Sequence, residues 1–204
     1  MEISLHNAND LGRNDWRKLQ GVERDSLLTV SPEVDPALID ELIMWDKAEG
    51  YFQRKVDPKA GVGAHGMRPG QEFGPNPQVV IAEDSGQVVG FAWLVDNVSG
   101  RFKGAKRLTR VNNYKRLEVP VVGEYRDSGI LERLALKGLS ASTRRLQRVA
   151  VYAMGSEEQM YKEWGLIQTG EAYRCVGDRS VRQVRMQRSA RQVVRNLEQL
   201  QLAS

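Results

Sequence analysis

The most informative part of this chain of 204 residues is the stretch Val121-Val122-Gly123-Glu124-Tyr125-Arg126-Asp127-Ser128-Gly129-Ile130-Leu131. It starts at the end of an apolar strand predicted over 114–122 and leads into a helix predicted over 130–143. A loop between a strand and a helix N-terminus presents backbone N–H groups to a phosphate, and the positive end of the helix dipole assists. The sequence therefore predicts an anion-binding loop at this junction.

Apolar periodicity, caps and turn residues place the other elements around this junction. Asp35 followed by Pro36 is typical of a helix start, and Pro120, which cannot donate a ladder hydrogen bond, predicts a bulge or a splayed edge. The remaining predicted elements are a strand over 3–6, helices over 10–28 (capped by Asp10) and from 36 to Gly50, a hairpin over 78–82 and 87–95, a strand over 148–154, a short helix between Ser156 and Gly165, strands over 167–176 and 181–188, and an amphipathic helix over 189–202. This order predicts a mixed-sheet α/β fold.

Composition excludes several classes of protein. The single cysteine, Cys175, cannot form an internal disulfide, and no apolar run approaches the ~20 residues needed to span a membrane. The first residues do not read as a signal peptide. We therefore expect an intracellular, cytoplasmic protein without a membrane partner, and no metal-ligand spacing is present in the sequence.

Positive charge is concentrated in two segments, although the net charge is only +4. Residues 101–116 and 174–195 are rich in Lys and Arg, whereas the first sixty residues are net acidic. Such segments suit phosphate, nucleic acid or an acidic partner surface, or they form a solvated face. A long Gly- and Pro-rich loop over 57–77 contains His65, and a loop of this length is typical of a functional or mobile segment.

The junction resembles the acyl-CoA pyrophosphate loop of the GNAT superfamily of acyltransferases. Val121 takes the strand position, Tyr125 the aromatic position, and Arg126 and Gly129 match the pattern Arg/Gln-x-x-Gly-x-Gly/Ala. Leu131 replaces the final small residue of that pattern, and Asp127 stands where glycine is common. A second match, Met160-Tyr161-Lys162-Glu163-Trp164-Gly165-Leu166, resembles the Tyr-x-x-x-Gly-Phe ending of the next helix in the superfamily.

This resemblance implies a GNAT-like mixed central sheet flanked by helices over 1–188, with a basic insertion at 97–113 and an added amphipathic helix at 189–204. It also implies that two strands splay to admit the pantetheine of acetyl-CoA. The residues expected to bind the cofactor are Val121, Arg126, Asp127, Ser128, Gly129, Ile130 and Leu131. If the Leu131 side chain turns into the core, its N–H remains available to the pyrophosphate, whereas a side chain turned outward would block it.

Two residues are candidates for the chemistry of acyl transfer. By resemblance, Tyr161 would protonate the departing thiolate; the alternative is an aromatic ring packed under the final strands. Glu118, on the strand face opposite Leu117 and Val119, would accept a proton from the amine through water. Its alternative role is a strand glutamate paired with a nearby arginine.

Two functions follow from these observations. The first is an N-acetyltransferase that moves acetyl from acetyl-CoA to an unknown amine. The second is a GNAT-fold protein that no longer catalyses and serves as a structural or assembly component, for example in a phage virion. Leu131, Asp127 and the amphipathic helix over 189–202, which would dock on a partner or a second copy, favour the second. Nucleic-acid binding depends only on the basic segments.

Overall fold

The computed structural model describes residues 1–8, 10–44, 78–98, 110–141, 148–176 and 178–203. The predicted loop over 57–77 with His65, the predicted helix end at Gly50 and residues 99–109 of the basic insertion lie outside the described residues. The part described contains a seven-stranded sheet and the helices that cover it.

The strands are β1 Glu2–Asn7, β2 Gln78–Asp84, β3 Gln87–Val98, β4 Arg110–Glu118, β5 Arg148–Ala153, β6 Ile167–Val176 and β7 Arg179–Ser189. Their order in the sheet is β1-β2-β3-β4-β5-β7-β6. The neighbours β4 and β5 are parallel, and every other pair is antiparallel. The fold is therefore a mixed α/β fold, as the element order predicted.

The helices are α1 Arg13–Val30, α2 Pro36–Met44, a 3-10 helix Gly123–Ser128, α3 Ile130–Ala141, α4 Glu157–Glu163 and α5 Ala190–Ala203. None of the helices in the described ranges is long and apolar enough to cross a membrane. Asp35 and Pro36 begin α2 as predicted, since Asp35 Oδ1 accepts a hydrogen bond from the N–H of Ala37 at 2.9 Å.

Apolar side chains of the helices pack on both faces of the sheet. On one face, Trp16 and Leu19 of α1 contact Phe91 and Trp93 of β3 in one buried cluster. On the other face, α3 and α5 share a larger cluster with β4, β5 and β7. Close packing of α3 requires a glycine in β3, because a Cβ at Gly90 would come within 2.9 Å of Leu134 and Val121 side chains.

The apolar side of α5 is buried within the chain. Val193 and Leu197 are fully buried in the cluster around α3, and the Asn196 side chain donates to the carbonyl of Trp164. The apolar side of this helix, which was predicted to dock on a partner, therefore packs against the rest of the domain. Leu202 near its end remains 89% exposed.

Several predicted boundaries were wrong. Helix α1 begins at Arg13, not at residue 10, and Asp15 accepts from the N–H of Gly12 at 2.8 Å, so Asp10 is not its cap. Strand β4 begins at Arg110, four residues before the predicted start, and ends at Glu118. The side chain of Ser156 makes no capping hydrogen bond to α4.

Arginines of the basic segment 174–195 are partly neutralised within the chain. Arg179 forms ion pairs with Glu41 and Asp35, and Arg182 pairs with Glu171. These exposed ion pairs agree with a solvated face, one of the roles considered for this segment.

Candidate functional site

A gap opens between β4 and β5 at their carboxyl ends. The two strands pair at Tyr114, Lys115 and Arg116 with Arg148, Val149 and Ala150, and pairing within the described part ends there. Strand β4 nevertheless continues to Glu118 and β5 to Ala153, and each keeps its other neighbour, β3 or β7. Backbone N–H and C=O groups that face such a gap need other partners, so an extended ligand with amide groups can take the place of the missing ladder.

Beyond the end of β4, the backbone at Pro120 and Val121 remains paired with β3, and the predicted loop follows. The carbonyl of Pro120 accepts from the N–H of Phe91 at 3.0 Å, and Val121 forms an isolated bridge with Gly90. The loop itself is the 3-10 helix 123–128, closed by Gly129 at φ 73°. This positive φ is costly for other residues, and nothing lies within 4 Å of a Cβ built at Gly129, so the loop leaves room for a ligand there.

Helix α3 follows this loop directly, and its first turn supplies donors. The N–H groups of Ile130, Leu131 and Glu132 have no intrahelical acceptor, because they belong to the first turn. The N–H of Gly123 is already used, since it donates to the Asp25 carboxylate at 2.7 Å. An anion at this helix end would therefore bind to α3 rather than to the start of the loop.

The Leu131 side chain turns into the core. It is 4% exposed, and Ile130 and Val121 beside it are fully buried in the same cluster. The side chains of these three predicted cofactor residues therefore contribute to core packing, and Leu131 also lines the cleft beside the start of α3. Of the two orientations that the sequence left open for Leu131, the structure has the one that does not block the loop.

Arg126 points inward, away from bulk solvent. Its guanidinium donates to Ser26 Oγ of α1 at 3.1 Å and lies 3.8 Å from Glu157 Oε1 of α4. The Arg126 side chain is 12% exposed and that of Glu157 is 11% exposed. Asp127 and Ser128, by contrast, are exposed, and Ser128 Oγ donates to the carbonyl of Tyr125 at 2.6 Å.

Glu118 is held by two donors at the end of β4. Trp93 Nε1 donates to Glu118 Oε2 at 2.5 Å, and Arg116 pairs with Oε1. The Arg116 guanidinium also lies 5.4 Å from the centre of the Tyr152 ring on β5, so it spans from β4 to the strand across the gap. The pairing with an arginine, one of two roles considered for Glu118, is thus present in the structure.

Tyr161 and Glu157 lie one turn apart on α4, and both side chains are largely buried. Tyr161 is 3% exposed and packs edge-on against Trp164, with ring centres 5.1 Å apart. Burial raises the pKa of Tyr161 well above its ordinary value; the negative charges of Glu157 and Glu118 add to this rise, and Arg126 opposes it. Tyr161 therefore holds its proton at neutral pH.

Glu157 is a buried carboxyl that the sequence did not single out. Burial raises the pKa of Glu157 above its ordinary value, while the N–H of Met154 and the Arg126 charge oppose the rise. Nothing local in the sequence shows that Arg126 folds against Glu157. The structure thus adds Glu157 to the predicted pair Tyr161 and Glu118, and the negative charge of Glu118 raises the pKa of both Glu157 and Tyr161.

A cleft of about 510 Å³ lies beside the start of α3. Arg126, Asp127 and Gly129 line it from the loop, and residues of α4 and the end of α5 form its other walls. Two further carboxylates, Glu132 and Glu163, also line it. The cleft has the size of a cofactor pocket. Its carboxylates outnumber its one guanidinium, which opposes an anionic ligand.

Solved structures of N-acetyltransferases share this architecture. The PaiA N-acetyltransferase from Thermoplasma acidophilum, solved in complex with coenzyme A, matches with a TM-score of 0.59 at 14% identity, over 93% of this chain and 99% of that chain. An N-acetyltransferase from Staphylococcus aureus matches with a TM-score of 0.54 at 12% identity, over 93% of this chain and 99% of that chain. A GNAT superfamily phosphinothricin acetyltransferase from Sinorhizobium meliloti, solved with acetyl-CoA, has a TM-score of 0.50 at 16% identity, over 93% of this chain and 89% of that chain.

This protein therefore has the fold of the GNAT superfamily of N-acetyltransferases, which confirms the fold that the loop and the element order predicted. No protein-family model matches the sequence, and no curated protein sequence matches it. At identities of 12–16% this likeness defines the fold alone.

Proposed function

We propose that this protein binds acetyl-CoA and transfers its acetyl group to an amine. The observation that carries the proposal is the end of the β4–β5 ladder at Arg116 and Ala150, followed on the β4 side by a loop that opens onto the N-terminus of α3. These two features suit the two parts of one ligand: an extended arm with amide groups and an anionic end.

The ligand would be held mainly by backbone. The amides of the pantetheine arm would pair with strand groups in the gap, and the pyrophosphate would accept from first-turn N–H groups of α3 beside Gly129. Open space at Gly129 and the inward side chain of Leu131 support this placement. Neither contact depends on the identity of the Leu131 side chain.

In the proposed reaction the amine nitrogen, as a free base, attacks the thioester carbonyl carbon. A C–N bond forms and the C–S bond breaks, the nitrogen loses one proton, and the thiolate of coenzyme A gains one. Tyr161, which keeps its proton because burial raises its pKa, is the proposed donor to the thiolate. Glu118 is the proposed acceptor of the amine proton through water, and its hydrogen bond from Trp93 would fix its orientation.

Negative charge at the cleft would lower the affinity. Asp127 is exposed and lines the cleft beside the proposed pyrophosphate position. Two unit charges ~4 Å apart repel by about 4 kcal/mol at an effective dielectric of 20, and salt reduces this value. We therefore expect micromolar or weaker binding of acetyl-CoA rather than nanomolar binding.

Calorimetric titration with acetyl-CoA tests the proposal. Gly129→Glu places a carboxylate at the N-terminus of α3 and is expected to abolish binding. Gly86→Glu is the matched control, because Gly86 has φ 80° and open space at its Cβ but lies in the β2–β3 turn. The control should bind acetyl-CoA like the unmodified protein. Absence of heat at millimolar acetyl-CoA, or equal binding by both variants, would overturn the proposed site.

Release of free thiol from acetyl-CoA in the presence of an amine tests the transfer itself. Tyr161→Phe keeps the ring that packs on Trp164 and removes the hydroxyl. It should lower kcat while leaving the Kd for acetyl-CoA unchanged. An unchanged kcat would remove Tyr161 from the proposed mechanism.

A further inference from the structure

Arg126 lies between the cleft beside the start of α3 and a buried carboxyl. It lines the cleft together with Asp127 and Gly129. Its guanidinium also lies 3.8 Å from Glu157 Oε1 of α4, and only 12% of the Arg126 side chain and 11% of the Glu157 side chain are exposed. The cation that would attract an anion to this cleft is therefore also the ion-pair partner of Glu157.

The contact between Glu157 and this guanidinium is loose. A separation of 3.8 Å is at the long end of ion-pair distances, and the shorter contact of the guanidinium, at 3.1 Å, is with the hydroxyl of Ser26. Ser26 of α1 is 3% exposed and neutral, so it orients the Arg126 side chain without compensating its charge. A guanidinium has five N–H donors, so an anion in the cleft can share it with Glu157.

The Glu157 carboxyl depends on few groups to stay ionised. Burial raises its pKa, and the N–H of Met154, which donates to Glu157 Oε2 at 3.1 Å after the end of β5, acts in the opposite direction. The charge of Arg126 in the 3-10 helix also favours the ionised form, whereas the negative charge of Glu118 on β4 opposes it. Tyr161, one turn along α4, keeps its proton. Arg126 is therefore the cation that offsets the burial of this carboxylate.

The charge of the cleft opposes an anion unless one of these groups changes its ionisation. In the described part of the chain, the other ionisable residues that line the cleft are three carboxylates, Asp127, Glu132 and Glu163. A pyrophosphate beside Gly129 would add negative charge near Glu157 and draw on the Arg126 guanidinium. Both effects favour the protonated form of the buried carboxyl. A proton on Glu157 would in turn leave the positive charge of Arg126 to the ligand.

We propose that the binding of acetyl-CoA is coupled to the uptake of a proton by the Glu157 carboxyl, which leaves the charge of Arg126 to the pyrophosphate. The inference rests on the proposed binding of acetyl-CoA. The proton comes from the solvent and bonds to a carboxylate oxygen of Glu157, which becomes neutral, and no covalent bond of the ligand changes. Because such coupling is reciprocal, acetyl-CoA binds more tightly as the pH falls toward the pKa of Glu157 in the free protein.

Calorimetric titration with acetyl-CoA in phosphate and in Tris measures this proton, because the two buffers have different enthalpies of ionisation. Glu157→Gln keeps an oxygen that can accept from the N–H of Met154 but takes up no proton. At about pH 6 the unmodified protein should take up at least roughly a third of a proton more than Glu157→Gln. The phosphates of the ligand titrate in both experiments, so they do not contribute to the difference.

Glu158→Gln is the matched control. Glu158 is the next residue in the first turn of α4, but it is 31% exposed and pairs with Lys162 at 2.7 Å. This variant should take up as many protons as the unmodified protein. If Glu157→Gln does not fold, Glu157→Met, which needs no hydrogen-bond partner in the buried site, takes its place.

The pH dependence of the Kd separates coupling from a merely structural role of Glu157. Between about pH 8 and about pH 6, the Kd of the unmodified protein should fall at least about threefold relative to that of Glu157→Gln. At about pH 8 the variant should bind acetyl-CoA more tightly than the unmodified protein, because no carboxylate competes for Arg126. Loss of a structural contact would instead weaken binding at every pH.

The outcomes separate this inference from the proposed function. Equal proton uptake by the unmodified protein and Glu157→Gln, or a ratio of their Kd values that does not change with pH, would overturn the coupling and leave the acetyl-CoA site intact. Absence of heat with acetyl-CoA in both buffers would overturn the proposed function and the coupling with it.

Discussion

Replacement of Leu131 by alanine separates its two possible roles. Alanine is a residue that the resembled loop pattern accepts at this position, so the variant restores a small side chain beside the proposed pyrophosphate site. The structure places the Leu131 side chain in the cluster that joins α3 to the sheet, where it is 4% exposed. We therefore expect a loss of stability and no gain in acetyl-CoA affinity.

The size of the loss follows from burial. Truncation of a buried leucine to alanine costs about 2–5 kcal/mol, through lost apolar transfer and an unfilled cavity. At about 3 kcal/mol, and roughly 2–4 °C per kcal/mol for a domain of this length, Tm should fall by about 6–12 °C. The Kd for acetyl-CoA should stay within about twofold, which is roughly 0.4 kcal/mol.

Thermal unfolding followed by circular dichroism and calorimetric titration with acetyl-CoA measure the two quantities on the same preparation. Leu202→Ala is the control, because Leu202 is also a leucine of a helix but is 89% exposed, and its Tm should not change. If Leu131→Ala left Tm unchanged and tightened acetyl-CoA binding tenfold, the side chain would lie over the ligand site and the inward orientation would be refuted.

Two further predictions concern the segment after β5. Gly155→Ala should lower the free energy of unfolding by roughly 2–5 kcal/mol, because strain at φ 50° adds to a clash with the Val30 carbonyl. Gly86→Ala is the control, since Gly86 has φ 80° and open space at its Cβ, and its free energy of unfolding should fall by only about 1–2 kcal/mol. Chemical denaturation measures both values. Similar losses in both variants would contradict the close approach. Because burial raises the folded-state pKa of Glu157, its ionisation opposes folding above that pKa, and the penalty is relieved as pH falls through the folded pKa. The stability of the unmodified protein relative to Glu157→Gln should therefore increase from neutral pH toward the ordinary carboxyl pKa in urea titrations, and a relative stability that decreases on acidification would contradict the raised pKa.

Local signals were sufficient for most of the elements. Asp35 and Pro36 predicted the start of α2 correctly, because a cap and a fixed φ act within one turn. The start of α3 at Ile130 was likewise predicted from the residues around it. The predicted start of α1 was wrong, because the N-cap is Gly12, whose N–H donates to the Asp15 carboxylate, and Asp10 lies before the helix.

The candidate site was less accessible to sequence reasoning because its contacts are long-range. The N–H of Gly123 pairs with Asp25, 98 positions away, and Arg126 pairs with Ser26, 100 positions away. Such contacts leave no periodic pattern in the sequence. Glu157 was missed for the same reason.

The order of the elements, the position of the loop from Val121 to Leu131 and its resemblance to an acyl-CoA loop were all predictable from the residues alone. These properties depend on residue spacing, turn chemistry and helix ends, which act over a few neighbours. The inward orientation of Leu131, the contact of Arg126 with Glu157 and the end of the β4–β5 ladder at Arg116 and Ala150 became visible only in the folded chain. A side chain's direction and a strand's partner depend on packing between segments that are distant in the chain.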